Sequence, residues 1–435
     1  MTNPHETGTG INYAWLALDN AAKIFPAVKS KEHTTVFRIS VVLSGRVKIM
    51  ALLKAALKAE ERFPYFKVCL KKGLFWYYLE HMNRPLVPIP DKLGLCRAFS
   101  NSTLGENTYL LRIVVINNRI SVEYSHVLTD GTGAEKFFIA LLSAYFAEIG
   151  LQAENLDVDP CNSAFSDEEF EDAYNHYFNA NIPPVIQYTK AFHLPFKLRA
   201  KPRFKVLVAL LSLQDIKKKA RGKEVSITDY LVAAYLFVLQ EIHEEMQLQG
   251  RRGKRKTLRI QVPVNLRNIY PSQTMRNFSL FVLPEIDLRL GHYTLDEIIK
   301  IVHYKMKLET DEKLINKIIA RNVGSEKNLL VRGIPLFLKN LILYFKYYSQ
   351  GANQYSGVIT NLGKVELPAA FLEKINYFVF IPPPPNKKLK VNCGVIGCKD
   401  TLTVSFGSIT SSMELERRFF RFLTTQGIQV KLITY

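Results

Sequence analysis

Along the first half of the chain, apolar and polar positions follow two different rhythms. Ile120, Val122, Tyr124 and His126 occupy every second place over 119–126, and apolar residues dominate 109–116, so these runs predict two antiparallel strands. Asn117-Asn118 between them suits a tight hairpin, because asparagine tolerates left-handed backbone. Residues 34–43 are rich in β-branched side chains and predict another strand. Helical spacing takes over at 12–25, at 47–63 and at 131–149. In the last of these Phe137, Phe138, Leu141, Leu142, Tyr145 and Phe146 line one face.

The rhythm lapses over 156–203. This stretch is acidic first (Asp167, Glu168, Glu169, Glu171, Asp172), then proline-bearing and basic, and it is read as a crossover linker. It separates an N-terminal unit, 1–155, from a C-terminal unit, 204–435. The second unit restarts with a strand at 204–213. A helix follows at 226–246, with Ser226 as its N-cap and Ile227, Leu231, Ala234, Tyr235, Val238, Leu239 and Ile242 at helical spacing. Strands at 258–264 and 278–287, a long helix at 294–322, short strands near Val358, Phe378, Val391 and Val404, and a helix at 413–424 complete the reading. Irregular alternation with hairpins predicts an α+β fold of sheets covered by helices.

Composition narrows the picture. Of 435 residues, 48% are hydrophobic and 22% charged, which excludes a disordered chain. Fifty-eight basic against 39 acidic residues give a formal charge of +19, a field that draws in anions: nucleic acid, a membrane face, a phosphorylated cofactor or an acidic carrier protein. Cys69, Cys96, Cys161, Cys393 and Cys398 are odd in number and widely spaced, as expected of reduced thiols, with no zinc site. The polar start of the chain has no apolar signal core. In the apolar stretch 329–348, Arg332, Pro335, Lys339 and Lys346 interrupt what would otherwise suit a membrane span, so a buried or amphipathic helix is expected. These features predict a cytoplasmic protein with peripheral membrane contact at most. Neither a Gly-x-Gly-x-x-Gly nor a phosphate-binding Gly-Lys-Ser/Thr loop is present.

The sharpest local feature is Ser125-His126-Val127-Leu128-Thr129-Asp130-Gly131, where a strand passes into a helix. His126 projects on the apolar side of its strand, and burial there disfavours the imidazolium. Asp130 can fix the loop or meet a distant cation, and Gly131 allows backbone closed to other residues. Such a set suits a positioned neutral base, and equally a buried histidine beside a helix-capping aspartate.

The segment resembles the His-x-x-x-Asp-Gly signature of the chloramphenicol-acetyltransferase-like superfamily of CoA-dependent acyltransferases and condensation domains. Here Ser125 stands where many members carry a first histidine. Three further stretches are similar to its bacterial alcohol acetyltransferase branch. They are the opening Leu18-Asp19-Asn20-Ala21-Ala22-Lys23-Ile24-Phe25-Pro26, then Val262-Pro263-Val264-Asn265-Leu266-Arg267-Asn268 continuing to Met275-Arg276-Asn277-Phe278, and Thr360-Asn361-Leu362-Gly363-Lys364. The plant-type Asp-Phe-Gly-Trp motif is replaced by Ser405-Phe406-Gly407-Ser408.

The resemblance implies two chloramphenicol-acetyltransferase-like subdomains with a tunnel between them. His126 would be the general base, Asp130 and Gly131 its structural support, Arg267 the partner of Asp130, and Thr360 and Asn361 would serve the oxyanion or line the tunnel. It implies no bound cofactor. Acyl-CoA or an acyl carrier protein would be the donor, and a small-molecule or lipid-like alcohol the acceptor. The run Arg251-Arg252-Gly253-Lys254-Arg255-Lys256, or Arg199, Lys201, Arg203 and Lys205, would meet the donor's phosphates; a solvated loop is the plain alternative. Two other readings stay open: a carrier-dependent condensation enzyme forming an amide, and a basic nucleic-acid-binding protein without catalysis.

Overall fold

The computed structural model describes residues 15–29, 33–92, 94–99, 108–151, 166–183, 188–250 and 255–435. Its strands are β1 (Trp15–Ala17), β2 (Val36–Leu43), β3 (Val68–Lys72), β4 (Tyr77–His81), β5 (Ile89–Pro90), β6 (Leu111–Ile116) and β7 (Arg119–Ser125) in the first half. In the second half they are β8 (Lys205–Ser212), β9 (Thr257–Asn265), β10 (Ser279–Val282), β11 (Glu285–Asp287), β12 (Gly357–Lys364), β13 (Ile375–Ile381), β14 (Val391–Cys398), β15 (Thr401–Ser408) and β16 (Val430–Ile433).

Among the described residues these strands form three sheets. The first has the order β13-β2-β7-β6-β5, the second β10-β9-β12-β14-β15-β8-β16 with β11 also paired to β9, and β1-β4-β3 form a small third sheet. Mixed sheets under helices make the fold α+β, with two subdomains. In the first, the helices Ile49–Arg62 and Gly131–Glu148 pack on the five-stranded sheet through Leu52, Ala56, Phe137, Phe138 and Leu141. In the second, the helix Ile227–Leu248 buries Leu231, Tyr235 and Val238 against the larger sheet, beside the helices Leu295–Glu309 and Glu414–Thr425.

The hairpin β6–β7 turns at Asn117, whose φ of 52° is left-handed, as its residue type allows. Ser226 and Asp229 close a reciprocal capping box at the start of the helix Ile227–Leu248. Other elements depart from the periodicity. Within 12–25 the described residues form β1, a 3-10 turn and the start of a short helix at Phe25–Val28. The reason is that Trp15–Ala17 pairs with β4 and the Asp19 carboxylate accepts from Ala22 N–H. The run 278–287 breaks into β10 and β11 around Pro284, which has no N–H for a ladder. The helix expected at 294–322 is two helices, Leu295–Glu309 and Glu312–Lys327, because the Asp311 side chain caps a new start. Pro335 likewise divides 329–348, leaving the helix Leu336–Lys346.

The division at the linker is not clean in space. β13 belongs by sequence to 204–435, yet it pairs antiparallel with β2 along its length, Ile381 opposite Arg38 and Ile375 opposite Leu43. Beneath the first sheet Glu123 accepts from both Arg38 and Arg112, and Arg38 also grips Asp91. Cys69, Cys96, Cys393 and Cys398 are buried free thiols, and Cys161 lies outside the described residues. No described helix is long and apolar enough to cross a membrane.

Candidate active site

β7 is the middle strand of the five-stranded sheet, hydrogen-bonded on both sides, so its C-terminal end is a rigid platform. His126 follows it directly. Its N–H donates to the Thr35 carbonyl at 2.9 Å, extending the ladder by one residue. Leu128 N–H then returns to the Ser125 carbonyl, tightening the loop before the helix Gly131–Glu148. The half-buried imidazole lies between aromatic rings, stacked on Phe25 at 5.2 Å and tilted on Phe37 at 4.5 Å. Its Nδ1 is buried with no hydrogen-bond partner among the described residues. Burial penalises the imidazolium more than the Asp130 carboxylate supports it, and the ring's pKa falls from 6.5 to about 4.

Asp130 is the N-cap of that helix. One carboxylate oxygen accepts from Gly133 N–H at 3.1 Å. The other accepts from Arg267 Nη1 at 2.9 Å and from Phe278 N–H at 2.8 Å, both on the far subdomain. Arg267 sits on the 3-10 turn after β9. Its guanidinium also donates to the carbonyls of Thr274 and Arg276 and to Asn265 Oδ1, so it is held as a fork rather than a mobile surface charge.

The loop 269–278 lies on the motif. Thr129 Oγ1 donates to the Met275 carbonyl at 2.5 Å, and a Cβ at Gly133 would collide with that carbonyl and with the Thr129 hydroxyl. A Cβ at Gly131 would come within 2.5 Å of Leu362 Cδ2, which brings the end of β12 to the motif.

Two residues with no assigned role in the sequence reading prove central. Asn277 Nδ2 donates to the His126 carbonyl at 2.9 Å and to Asp19 Oδ2 at 3.0 Å. Asp19 is fully buried. Burial outweighs the nearby Arg276 and pushes its carboxyl up to about 6. Both lie inside stretches singled out for resemblance, but only tertiary contact reveals the link.

Thr360 and Asn361 lie on β12, half-buried. The Asn361 amide donates to Thr228 at 3.0 Å and its carbonyl accepts from Gly363 N–H, so that side chain braces the strand end against the helix Ile227–Leu248. Of the basic clusters, 251–254 lie outside the described residues, Arg255 donates to the Ala191 carbonyl, and Arg199 and Lys201 are exposed. A cavity of about 230 Å³ borders the motif. Ser125 and Val127 flank it, Phe25 forms a wall, and Lys29, Thr35 and Tyr77 line the rest. The Lys29 ammonium donates to the Phe99 carbonyl, and burial lowers its pKa.

No family model and no curated protein matches the sequence. Solved structures do match. Fusarium sporotrichioides TRI101, complexed with coenzyme A and T-2, superposes with a TM-score of 0.62 at 11% identity, covering 97% of this chain and 100% of that one. Trichothecene 15-O-acetyltransferase TRI3 from the same organism gives 0.60 at 12%, covering 97% and 96%. The condensation domain of the Monacolin K polyketide synthase MokA gives 0.57 at 13%, covering 95% and 96%. Across nearly its whole length, the chain has the two-subdomain α+β fold of these acetyltransferase and condensation-domain structures.

Proposed function

We propose that this protein is an acyltransferase moving an acyl group from a CoA or carrier-protein thioester to a hydroxyl acceptor, with His126 as general base. The observation that carries the reading is the state of His126: an imidazole at a rigid strand end, between two aromatic rings, neutral at physiological pH, at the seam of two subdomains. With Nδ1 buried, Nε2 takes the proton from the acceptor hydroxyl. The freed oxygen attacks the thioester carbonyl carbon. The tetrahedral intermediate collapses with loss of the thiolate, which recovers the proton from the imidazolium. Donor and acceptor are inferred to approach the imidazole along the seam between the subdomains, where the resemblance implies a tunnel.

Asp130 acts by position. It caps the helix behind the loop and ties it to Arg267, while Gly131 lets Leu362 approach. Thr360 is the better oxyanion donor of the β12 pair, because the Asn361 amide is already committed to Thr228. The acceptor is an alcohol, as in alcohol O-acetyltransferases, and the enzyme works in the cytoplasm without a bound cofactor. A carrier-dependent amide-forming condensation remains the second reading, supported by the likeness to the MokA condensation domain.

Thiol release from a panel of acyl-CoAs with alcohol and amine acceptors tests this, wild type against His126→Ala. Acceptor-dependent release that vanishes in the variant is the expected result. Full turnover by a folded His126→Ala protein would refute the mechanism.

A further inference from the structure

The helix Leu336–Lys346 is built inside out. Its inward positions hold Leu336 and Lys339, both 4% exposed. Its solvent side carries Phe337, Leu338, Leu341, Ile342 and Phe345, a continuous apolar stripe at helical spacing, with Phe337 66% and Phe345 61% exposed. The tip of the β3–β4 hairpin adds Leu74, 74% exposed.

These two elements are fixed to each other. Leu336 N–H donates to the Leu74 carbonyl at 2.9 Å, and the buried Lys339 ammonium donates to the carbonyls of Phe75 and Arg332 while lying 3.5 Å over the Trp76 ring. A lysine has thus been turned inward to staple an apolar surface that faces water. Exposed apolar patches rimmed by polar groups mark interaction sites.

Charge selects the partner. Lys72, Arg332 and Lys346 are exposed around the patch, and from Lys327 to Val365 the sequence has no Asp or Glu. Tyr344 is also exposed on this helix, an amphipathic ring of the kind that settles at headgroup level. We propose that the helix Leu336–Lys346 and the β3–β4 tip form a docking surface for an anionic lipid bilayer. The apolar stripe enters the headgroup–acyl boundary and the cations meet lipid phosphates. The same helix packs on Phe25–Val28, whose Phe25 stacks on His126, so membrane surface and imidazole share one support. The docking itself does not depend on the acyl-transfer reading.

The test is co-sedimentation of the full chain with phosphatidylcholine vesicles, with and without phosphatidylglycerol. It compares wild type, Leu341→Ser/Phe345→Ser and Lys72→Glu/Lys346→Glu, each checked by circular dichroism. Wild type is expected to bind the anionic vesicles. The serine variant should bind at least about tenfold more weakly, because two apolar anchors are lost. The glutamate variant should lose the preference for phosphatidylglycerol. Equal binding by wild type and serine variant would mean that net charge alone is at work and would overturn the proposal. So would absence of vesicle binding, or a concentration-dependent dimer abolished by the serine changes and unaffected by vesicles.

Discussion

Arg267 Nη1 lies 2.9 Å from Asp130 Oδ2, with both side chains almost fully buried, and this contact ties the turn after β9 to the N-terminus of the helix Gly131–Glu148. Removing one partner of such a pair leaves an uncompensated buried charge, which typically costs about 3–5 kcal/mol. Arg267→Met and Asp130→Asn should each lower the melting temperature, and the double variant should lose less than the sum of the two. A double-mutant cycle by denaturant unfolding reads the coupling, and additive losses would show that the pair does not act as a unit.

His126→Ala should cut kcat/KM by roughly 10²–10⁴-fold, the usual worth of a positioned general base. The pH profile is the sharper readout. Burial holds the imidazole's pKa near 4 rather than 6.5, so it stays unprotonated as pH falls through the ordinary histidine range. The acid limb of kcat/KM should therefore inflect near 4. An inflection at 6.5 that disappears in His126→Ala would contradict the buried environment.

Two neighbouring glycines should respond differently to a methyl group. At Gly133 a Cβ meets backbone, the Met275 carbonyl, and the buried Thr129 hydroxyl, neither of which can yield cheaply. Gly133→Ala should cost about 1–3 kcal/mol. At Gly131 the obstacle is the end of the Leu362 side chain, which can change rotamer, so Gly131→Ala should be milder. Thermal melts of the two variants side by side decide this ranking.

Asn277 links the His126 carbonyl to Asp19, the place of a positioning residue. Asn277→Ala should lower kcat more than it raises KM. Asn277→Asp places a second carboxylate beside Asp19, whose carboxyl titrates near 6. Loss of the Asn277 amide and the new neighbouring charge push Asp19 higher still, so at high pH both carboxylates are charged and repel, and as pH falls the pair takes up a proton and the repulsion fades. The stability gap between the Asp and Ala variants should therefore shrink as pH is lowered from 7.5 to 5, the reverse of ordinary acid destabilisation. A gap that stays constant would remove Asp19 from the network.

Much of this was legible in the sequence, for identifiable reasons. The alternation ending at His126 and the glycine after Asp130 are local signals, and they mark a strand passing into a capped helix. The helix Ile227–Leu248 carries its own start signal in Ser226 and Asp229. What stayed hidden depends on residues far apart. Asp19 and Asn277 are separated by 258 positions and become a pair only when buried together. Nor could periodicity show that Phe337 and Phe345 face outward, since an apolar stripe has the same spacing whether it meets a core or solvent. Interruptions inside long periodic runs, at Pro284 and Asp311, were present as letters but outweighed by the apolar residues around them.

The pairing of β13 with β2 has a bearing on how the chain is made. The first sheet is finished only by a strand that begins at Ile375, after more than three-quarters of the chain has been synthesised. Until then β2 presents an open row of N–H and carbonyl groups over Val36–Leu43, a template for pairing with another nascent chain. Truncations that stop before Ile375 should therefore aggregate rather than yield a tidy half-molecule, and the chain's two halves are best regarded as one cooperative folding unit that closes from its C-terminal end.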